Sequence, residues 1–282
     1  MISKLFFSAE QLMKYVIFSD LDDTLFCSLN KHKQKQTQNQ DKNQNINENL
    51  KPIAYLQDNS PICFADSKQQ QFLNIITQQI QNSILIPTTA RNFDAFSRVK
   101  NIQFTNEVIL NYGGIILTNY NAENQSFNID NNYYNLIENQ AKQQQNLLTD
   151  YLHFLEFHNN KIEFNYEGKI KIVYDFDLPF YLVVKAKNNN INLVEKFYLL
   201  LQQQLIKNNH QNDFILYFNA NNLALIPKYL NKKNAVEYLI KNKYNNDLTF
   251  GVGDAVVDID FMKLCDYQIC IKNTQIFHEK LI

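Results

Sequence analysis

The sequence predicts an α/β protein: a parallel sheet covered on both faces, with a second, α+β module inserted into it. Three observations lead there. Short apolar runs ending in polar turns recur at residues 15–19, 84–87, 107–110, 248–252 and 267–271. Continuous runs of this length fit buried parallel strands. Helical patterns fall between several of them, as in Phe72, Ile75, Ile76 and Ile80 within 69–80, then 93–99, then Ala235, Val236, Leu239 and Ile240. Strands alternating with helices indicate a parallel sheet. The third observation is residues 117–225, where the pattern changes. A long polar helix (133–158) precedes strand-like stretches at 161–166, 169–176 and 181–187, a helix at 193–206, and strands at 214–218 and 223–226. Grouped strands with helices on one side suggest a separate α+β layer. The expected division is a core of 1–116 with 227–282 and a module of 117–226.

Composition narrows the function classes. The chain has 282 residues, 45% of them hydrophobic, enough for a buried core and two domains. A net charge of −1 gives no basic excess for nucleic acid. Lysine carries the positive charge almost alone, the arginines being Arg91 and Arg98. The richness in Asn, Gln, Lys, Ile and Tyr fits an AT-rich coding sequence more than a function. The four cysteines make no CxxC pair and are read as buried packing residues, which suits a reducing compartment. The five scattered histidines form no zinc spacing. The N-terminal stretch is a poor signal peptide, and no apolar run approaches the roughly 20 residues of a membrane span. The reading is a soluble, cytoplasmic monomer or homodimer with no membrane or nucleic-acid partner. Residues 28–51 are dominated by Gln, Asn and Lys. They read as a disordered surface loop, or as a mobile flap beside whatever site Asp20 serves.

Four local signals carry chemistry. The first is Asp20-Leu21-Asp22-Asp23-Thr24, directly after the 15–19 strand. Open parallel sheets bind ligands at the carboxyl ends of their strands. Two carboxylates two residues apart can serve as nucleophile and acid/base. Crowded carboxylates call for a cation, and Mg²⁺ suits an all-oxygen site. A solvated acidic turn is the plain alternative. The second signal is residues 84–91, where a strand ends in Thr88-Thr89 and a helix pattern follows Arg91. Either threonine, with N–H groups of the helix start, could hold a phosphate oxygen, or simply cap the helix. The third is Lys232-Lys233, opening a helix where the dipole disfavours lysine, so that a fixed ammonium beside a phosphate competes with a solvated one. The fourth is Gly251-Val252-Gly253-Asp254, followed by Asp258. Asp254 and Asp258 could face one side of a loop and hold a divalent cation, or form an acidic helix start.

In this order the four signals resemble the motifs of the haloacid-dehalogenase superfamily: DxDx(T/V), a strand-terminal Ser/Thr, a Lys and an acidic GDxxxD. The run from Asn111, NYGGII, is similar to the junction leading into the cap of the Cof-like and sucrose-phosphatase-like members. The 117–226 insertion resembles their C2-type cap. Departures are TTAR where TGR is common, the Gln/Asn-rich insertion, and the paired lysines; Lys232 is preferred because KxxA spacing then falls on Ala235. The resemblance implies a Mg²⁺-dependent phosphatase acting on a small phosphorylated metabolite, with a sugar phosphate the leading class. Asp20 would be the nucleophile and Asp22 the acid/base. Thr89, Arg91 and Lys232 would hold phosphate or substrate. Asp20, the Asp22 backbone carbonyl, Asp254 and Asp258 would form the metal site. Cap tyrosines (Tyr133, Tyr134, Tyr166, Tyr174, Tyr181) and lysines (Lys161, Lys169, Lys171, Lys185) are candidates for a sugar or a second anion. Competing readings are a phosphomutase or phosphotransferase, a protein whose aspartate is phosphorylated as a signal, and a nucleic-acid module built on the polar tract.

Overall fold

A computed structural model of the chain describes residues 13–38, 49–104, 106–159, 168–186, 190–219 and 222–278. After β1 (Tyr15–Ser19) come β2 (Cys27–Ser28), α1 (Leu29–Gln38), β3 (Lys51–Tyr55), β4 (Pro61–Ala65) and α2 (Ser67–Asn74). The chain returns through β5 (Ser83–Pro87), the short α3 (Phe93–Phe96), β6 (Val108–Leu110), β7 (Ile115–Asn121) and β8 (Ser126–Ile129). Next are the long α4 (Asn131–Asn159), β9 (Gly168–Asp175), β10 (Leu178–Ala186), α5 (Ile191–Lys207), β11 (Phe214–Asn219) and β12 (Asn222–Pro227). α6 (Lys232–Asn242), β13 (Leu248–Gly253), α7 (Ile259–Met262), β14 (Tyr267–Cys270) and α8 (Gln275–His278) complete the order.

The central sheet is parallel, in the order β14-β13-β1-β5. β6 continues it through a parallel bridge between Thr88 and Ile109. Val16, Ile17 and Phe18 of β1 are buried on both faces, which is why this strand reads as unbroken apolar sequence. Each such side chain contributes roughly 1.5–3 kcal/mol when fully buried.

The second sheet is antiparallel, in the order β11-β12-β10-β9. Side chains alternate across a strand, so its two faces differ. Ile172, Leu182, Val184, Leu223 and Leu225 join Leu148 and Leu155 of α4 and Val194, Phe197 and Leu201 of α5 in one apolar cluster. The opposite face carries Tyr181, Val183, Lys185, Tyr217, Asn222 and Ala224, all of which line the cleft described below. The expected strand at 161–166 lies outside the described residues. β7 and β8, missed in the sequence, form a hairpin on β6. The division expected at 116/117 falls within β7.

Part of the 28–51 stretch, expected as a disordered surface loop or as a flap beside the site, forms regular elements, and its Lys31 and Gln34 line the cleft described below. Residues 29–38 form α1, and β2, β4 and β3 make a small antiparallel sheet. Residues 39–48 lie outside the described residues. Polar composition did not prevent helix here because His32 anchors it. His32 is buried, with Nε2 2.9 Å from the Phe64 carbonyl and 3.2 Å from the Cys27 sulfur. Lysine and glutamine then supply adequate intrinsic propensity. The helix expected over 69–80 is an α-helix through Asn74, with an Asp66–Gln69 capping box, continued by a π-turn over Ile75–Gln79.

Candidate active site

The site begins where β1 ends. The Asp20 N–H donates to the Val252 carbonyl at 2.9 Å, fixing the first acidic residue to the neighbouring β13. The chain then turns tightly: Leu25 N–H donates to the Leu21 carbonyl at 2.9 Å and Asp23 N–H to the Phe26 carbonyl at 2.7 Å. Asp23 adopts φ 67°, which aspartate tolerates better than most residues. This turn sends Thr24 back over Asp20. The Thr24 hydroxyl lies 3.3 Å from Asp20 Oδ2 and 3.1 Å from Asp254 Oδ1. It has one proton and so can donate to only one of them at a time.

Lys232 closes the cluster from α6. Its Nζ donates to Asp20 Oδ1 at 2.6 Å and to Asp258 Oδ1 at 2.7 Å. Asn231 caps the helix by accepting from Lys233 N–H, leaving Lys232, with 4% exposure, turned inward. Lys232 rather than Lys233 therefore meets the carboxylates. Asp258 Oδ2 in turn accepts the N–H groups of Asp254 and Ala255 at 3.3 and 3.2 Å. Two glycines permit this approach. A Cβ on Gly253 would lie 2.6 Å from the Asp258 Cβ. Gly113, at φ +90° in the junction before β7, would place one 2.4 Å from the Asn231 carbonyl oxygen at the start of α6.

The electrostatics follow from crowding. Burial disfavours the Lys232 charge, but Asp20 and Asp258 outweigh it and hold the ammonium above its usual range. Burial also drives Asp20 well above the usual carboxylate range; Lys232 opposes this, while Asp258, Asp254 and Asp22 add to it. Burial, Asp258 and Asp23 push Asp254 up to about 7. Oxygens of Asp20, Asp254 and Asp258 all lie within 4.8 Å of one another. One ammonium cannot balance three carboxylates, and the donors are all hard oxygens. The group thus fits a small divalent cation.

Asp22 stands apart from that cluster. Its carboxylate is gripped by Arg91, with Nε to Oδ2 at 2.7 Å and an Nη to Oδ1 at 2.6 Å. Arg91 also donates to the Ala95 carbonyl at 3.0 Å and lies over the Phe26 ring. Burial opposes its charge, but Asp22 dominates and raises its pKa. Thr89 lines the cleft, whereas Thr88 hydrogen-bonds to the Ile86 carbonyl. The helix expected after Arg91 begins at Phe93, capped by Asn92, so its N–H groups are not those of Thr89 itself. Thr89 N–H donates to the Ile109 carbonyl at 2.9 Å, because the sheet pairing continues through 88–89, and α3 begins only at Phe93. Asp20, Asp22, Thr89, Arg91, Lys232, Asp254 and Asp258 all border one cleft of about 810 Å³ between the parallel sheet and the antiparallel one.

No family model matches the chain, and no curated protein matches it by sequence. Solved structures do match. The trehalose-6-phosphate phosphatase C-terminal domain of C. albicans aligns over 89% of this chain and 73% of its own, with a TM-score of 0.52 at 12% identity. A trehalose-6-phosphate phosphatase related protein aligns over 92% and 87%, with a TM-score of 0.50 at 14% identity. A mutant of the Plasmodium falciparum IMP-nucleotidase, bound to IMP, aligns over 96% and 67%, with a TM-score of 0.53 at 11% identity. At these identities the likeness speaks for architecture. The chain shares the fold of these structures, in line with the parallel-sheet core and inserted α+β module expected from the sequence.

On this fold all seven residues singled out in the sequence border the same cleft. Thr24 closes the Asp20–Thr24 run and its hydroxyl joins two of the acids, a role its place in the sequence does not signal. Lys31, Arg98, Tyr112 and Tyr217 also line the cleft and carried no site assignment in the sequence. Of the cap candidates, Tyr181 and Lys185 reach the cleft. Tyr133 and Tyr134 instead donate to the carbonyls of Gly113 and Phe176. Tyr166 and Lys161 lie outside the described residues. Among the described residues no helix is long and apolar enough to cross a membrane.

Proposed function

We propose that the protein is a Mg²⁺-dependent phosphohydrolase of small phosphate esters, a sugar phosphate being the leading class, that acts through an aspartyl-phosphate at Asp20. The observation that carries this reading is the buried Asp20 carboxylate at the end of β1, with Lys232 2.6 Å from one oxygen and Thr24 3.3 Å from the other. The site can fix a nucleophile and a phosphoryl group together, which is most of what phosphoryl transfer asks of a protein. Phosphatases among the solved structures of the same fold support the reading.

In the first step an Asp20 oxygen attacks phosphorus and the bond to the leaving oxygen breaks. The Asp22 carboxyl gives its proton to that oxygen, releasing the alcohol. In the second step the Asp22 carboxylate takes a proton from water, whose oxygen attacks phosphorus. The Asp20–phosphorus bond breaks, inorganic phosphate leaves, and both carboxyl groups return to their starting states. Lys232 and Thr89 hold phosphoryl oxygens. Asp20, the Asp22 carbonyl, Asp254 and Asp258 would hold the Mg²⁺, which would supply positive charge against the phosphoryl oxygens. The 117–226 segment acts as a cap over the cleft.

Hydrolysis of p-nitrophenyl phosphate, with and without Mg²⁺, tests this. Asp22→Asn should lower kcat by about 10²–10⁴, the scale of general acid–base catalysis, while phosphate still binds. Full activity in that variant removes the acid/base assignment. Stoichiometric release of free phosphate separates a hydrolase from a phosphotransferase.

A further inference from the structure

The roof of the cleft carries charge that hydrolysis of a simple monoester does not use. Strand register places Lys185 of β10 directly opposite Lys169 of β9, and Val183 opposite Lys171. Lys185 and Val183 both line the cleft, so all three lysines share the face turned towards Asp20. The three are exposed. The same face presents Asn222, paired with Lys185, and Tyr217, paired with Ala224. Its described carboxylate, Asp175, is occupied elsewhere, accepting from Phe93 N–H at 2.6 Å and the Asn111 amide at 2.8 Å.

Like charges directly opposed on an antiparallel pair destabilise it. The other cations bordering the cleft have acidic partners: Lys31 has Asp23, Arg91 has Asp22, Arg98 has Asp94, and Lys232 has Asp20 and Asp258. Lys171 and Lys185 have no carboxylate partner among the described residues. A cleft of about 810 Å³ is far larger than one phosphoryl group requires.

We infer that the Lys171–Lys185 face is a subsite for a second anionic group of the substrate, remote from the phosphoryl group that is transferred. This rests on the proposed phosphatase reading of the site below it. The substrate class becomes a phosphate ester whose alcohol portion itself bears a phosphate or a carboxylate. Lys185 and Asn222 bind that group, and Lys171 adds to the local positive field.

Calorimetric titration into the Asp20→Asn chain, which binds without turning over, tests the inference. The probes are glucose 6-phosphate, glucose 1,6-bisphosphate and 6-phosphogluconate. One or both doubly anionic probes should bind about tenfold or more tighter than glucose 6-phosphate, the scale of one charge-assisted hydrogen bond. Which of them gains identifies the second anion as phosphate or carboxylate. Adding Lys185→Gln with Lys171→Gln should bring the affinity ratio towards one. Both lysines are exposed, so folding is not at stake. Equal affinities in the parent, no measurable binding of either doubly anionic probe, or a ratio unmoved by the double substitution would overturn the inference. Hydrolysis of p-nitrophenyl phosphate by the native chain reports separately on the site reading.

Discussion

The floor and the roof of the cleft treat charge in opposite ways. On the floor, Asp20, Asp258 and Lys232 are buried and tied together by contacts of 2.6–2.7 Å. On the roof, Lys171 and Lys185 stand exposed on a sheet face without a carboxylate partner among the described residues. Buried charges cost several kcal/mol each unless their partners are held in place, so the floor is rigid by necessity. Exposed lysines cost little and can reorient. On the proposed function, the difference puts chemistry on the floor and selection on the roof.

Removing the floor's one ammonium should have the larger effect on both turnover and stability. Lys232→Met leaves Asp20 and Asp258 facing each other uncompensated. Kinetics with p-nitrophenyl phosphate should show a loss of about 10²–10³ in kcat, the scale for deleting one preorganised donor. Thermal unfolding without metal should show a cost of about 3–5 kcal/mol, as for other buried pairs broken on one side. A variant with native stability and activity would mean that the floor is not organised by this lysine.

Arg91 borders the cleft and grips Asp22, and its replacement sharpens the comparison. Lysine cannot reproduce the two-pronged grip on Asp22. Arg91→Lys should lower kcat by about tenfold, the scale of one charge-assisted hydrogen bond, with a smaller change in KM. An effect on KM alone would move Arg91 to the substrate-binding side.

The floor was legible in the sequence and its surroundings only in part, through Arg91, Tyr181 and Lys185, for physical reasons. Asp20, Asp22, Lys232, Asp254 and Asp258 sit at strand ends and a helix start, where local sequence dictates placement. Gly253 and Gly113 mark close approaches that only glycine allows. The helix at 29–38 was hidden because α1 depends on His32 reaching Phe64, a contact across 32 residues that composition does not reveal. Thr89 was found, as was the helix after Arg91, but the pairing that ties the Thr89 N–H to Ile109 is a contact across 20 residues that local sequence does not reveal. Tyr112 and Tyr217 reach the cleft through the junction and the β11–β12 register, and neither is visible in local spacing.

The central claim is that Asp20 becomes covalently phosphorylated. Rapid acid quenching during turnover of a phosphorus-labelled ester, followed by peptide mapping, tests it directly. The peptide containing Asp20 should carry an alkali-labile acyl phosphate that is absent from Asp20→Asn. Turnover with no protein-bound label, or label retained in Asp20→Asn, would contradict it.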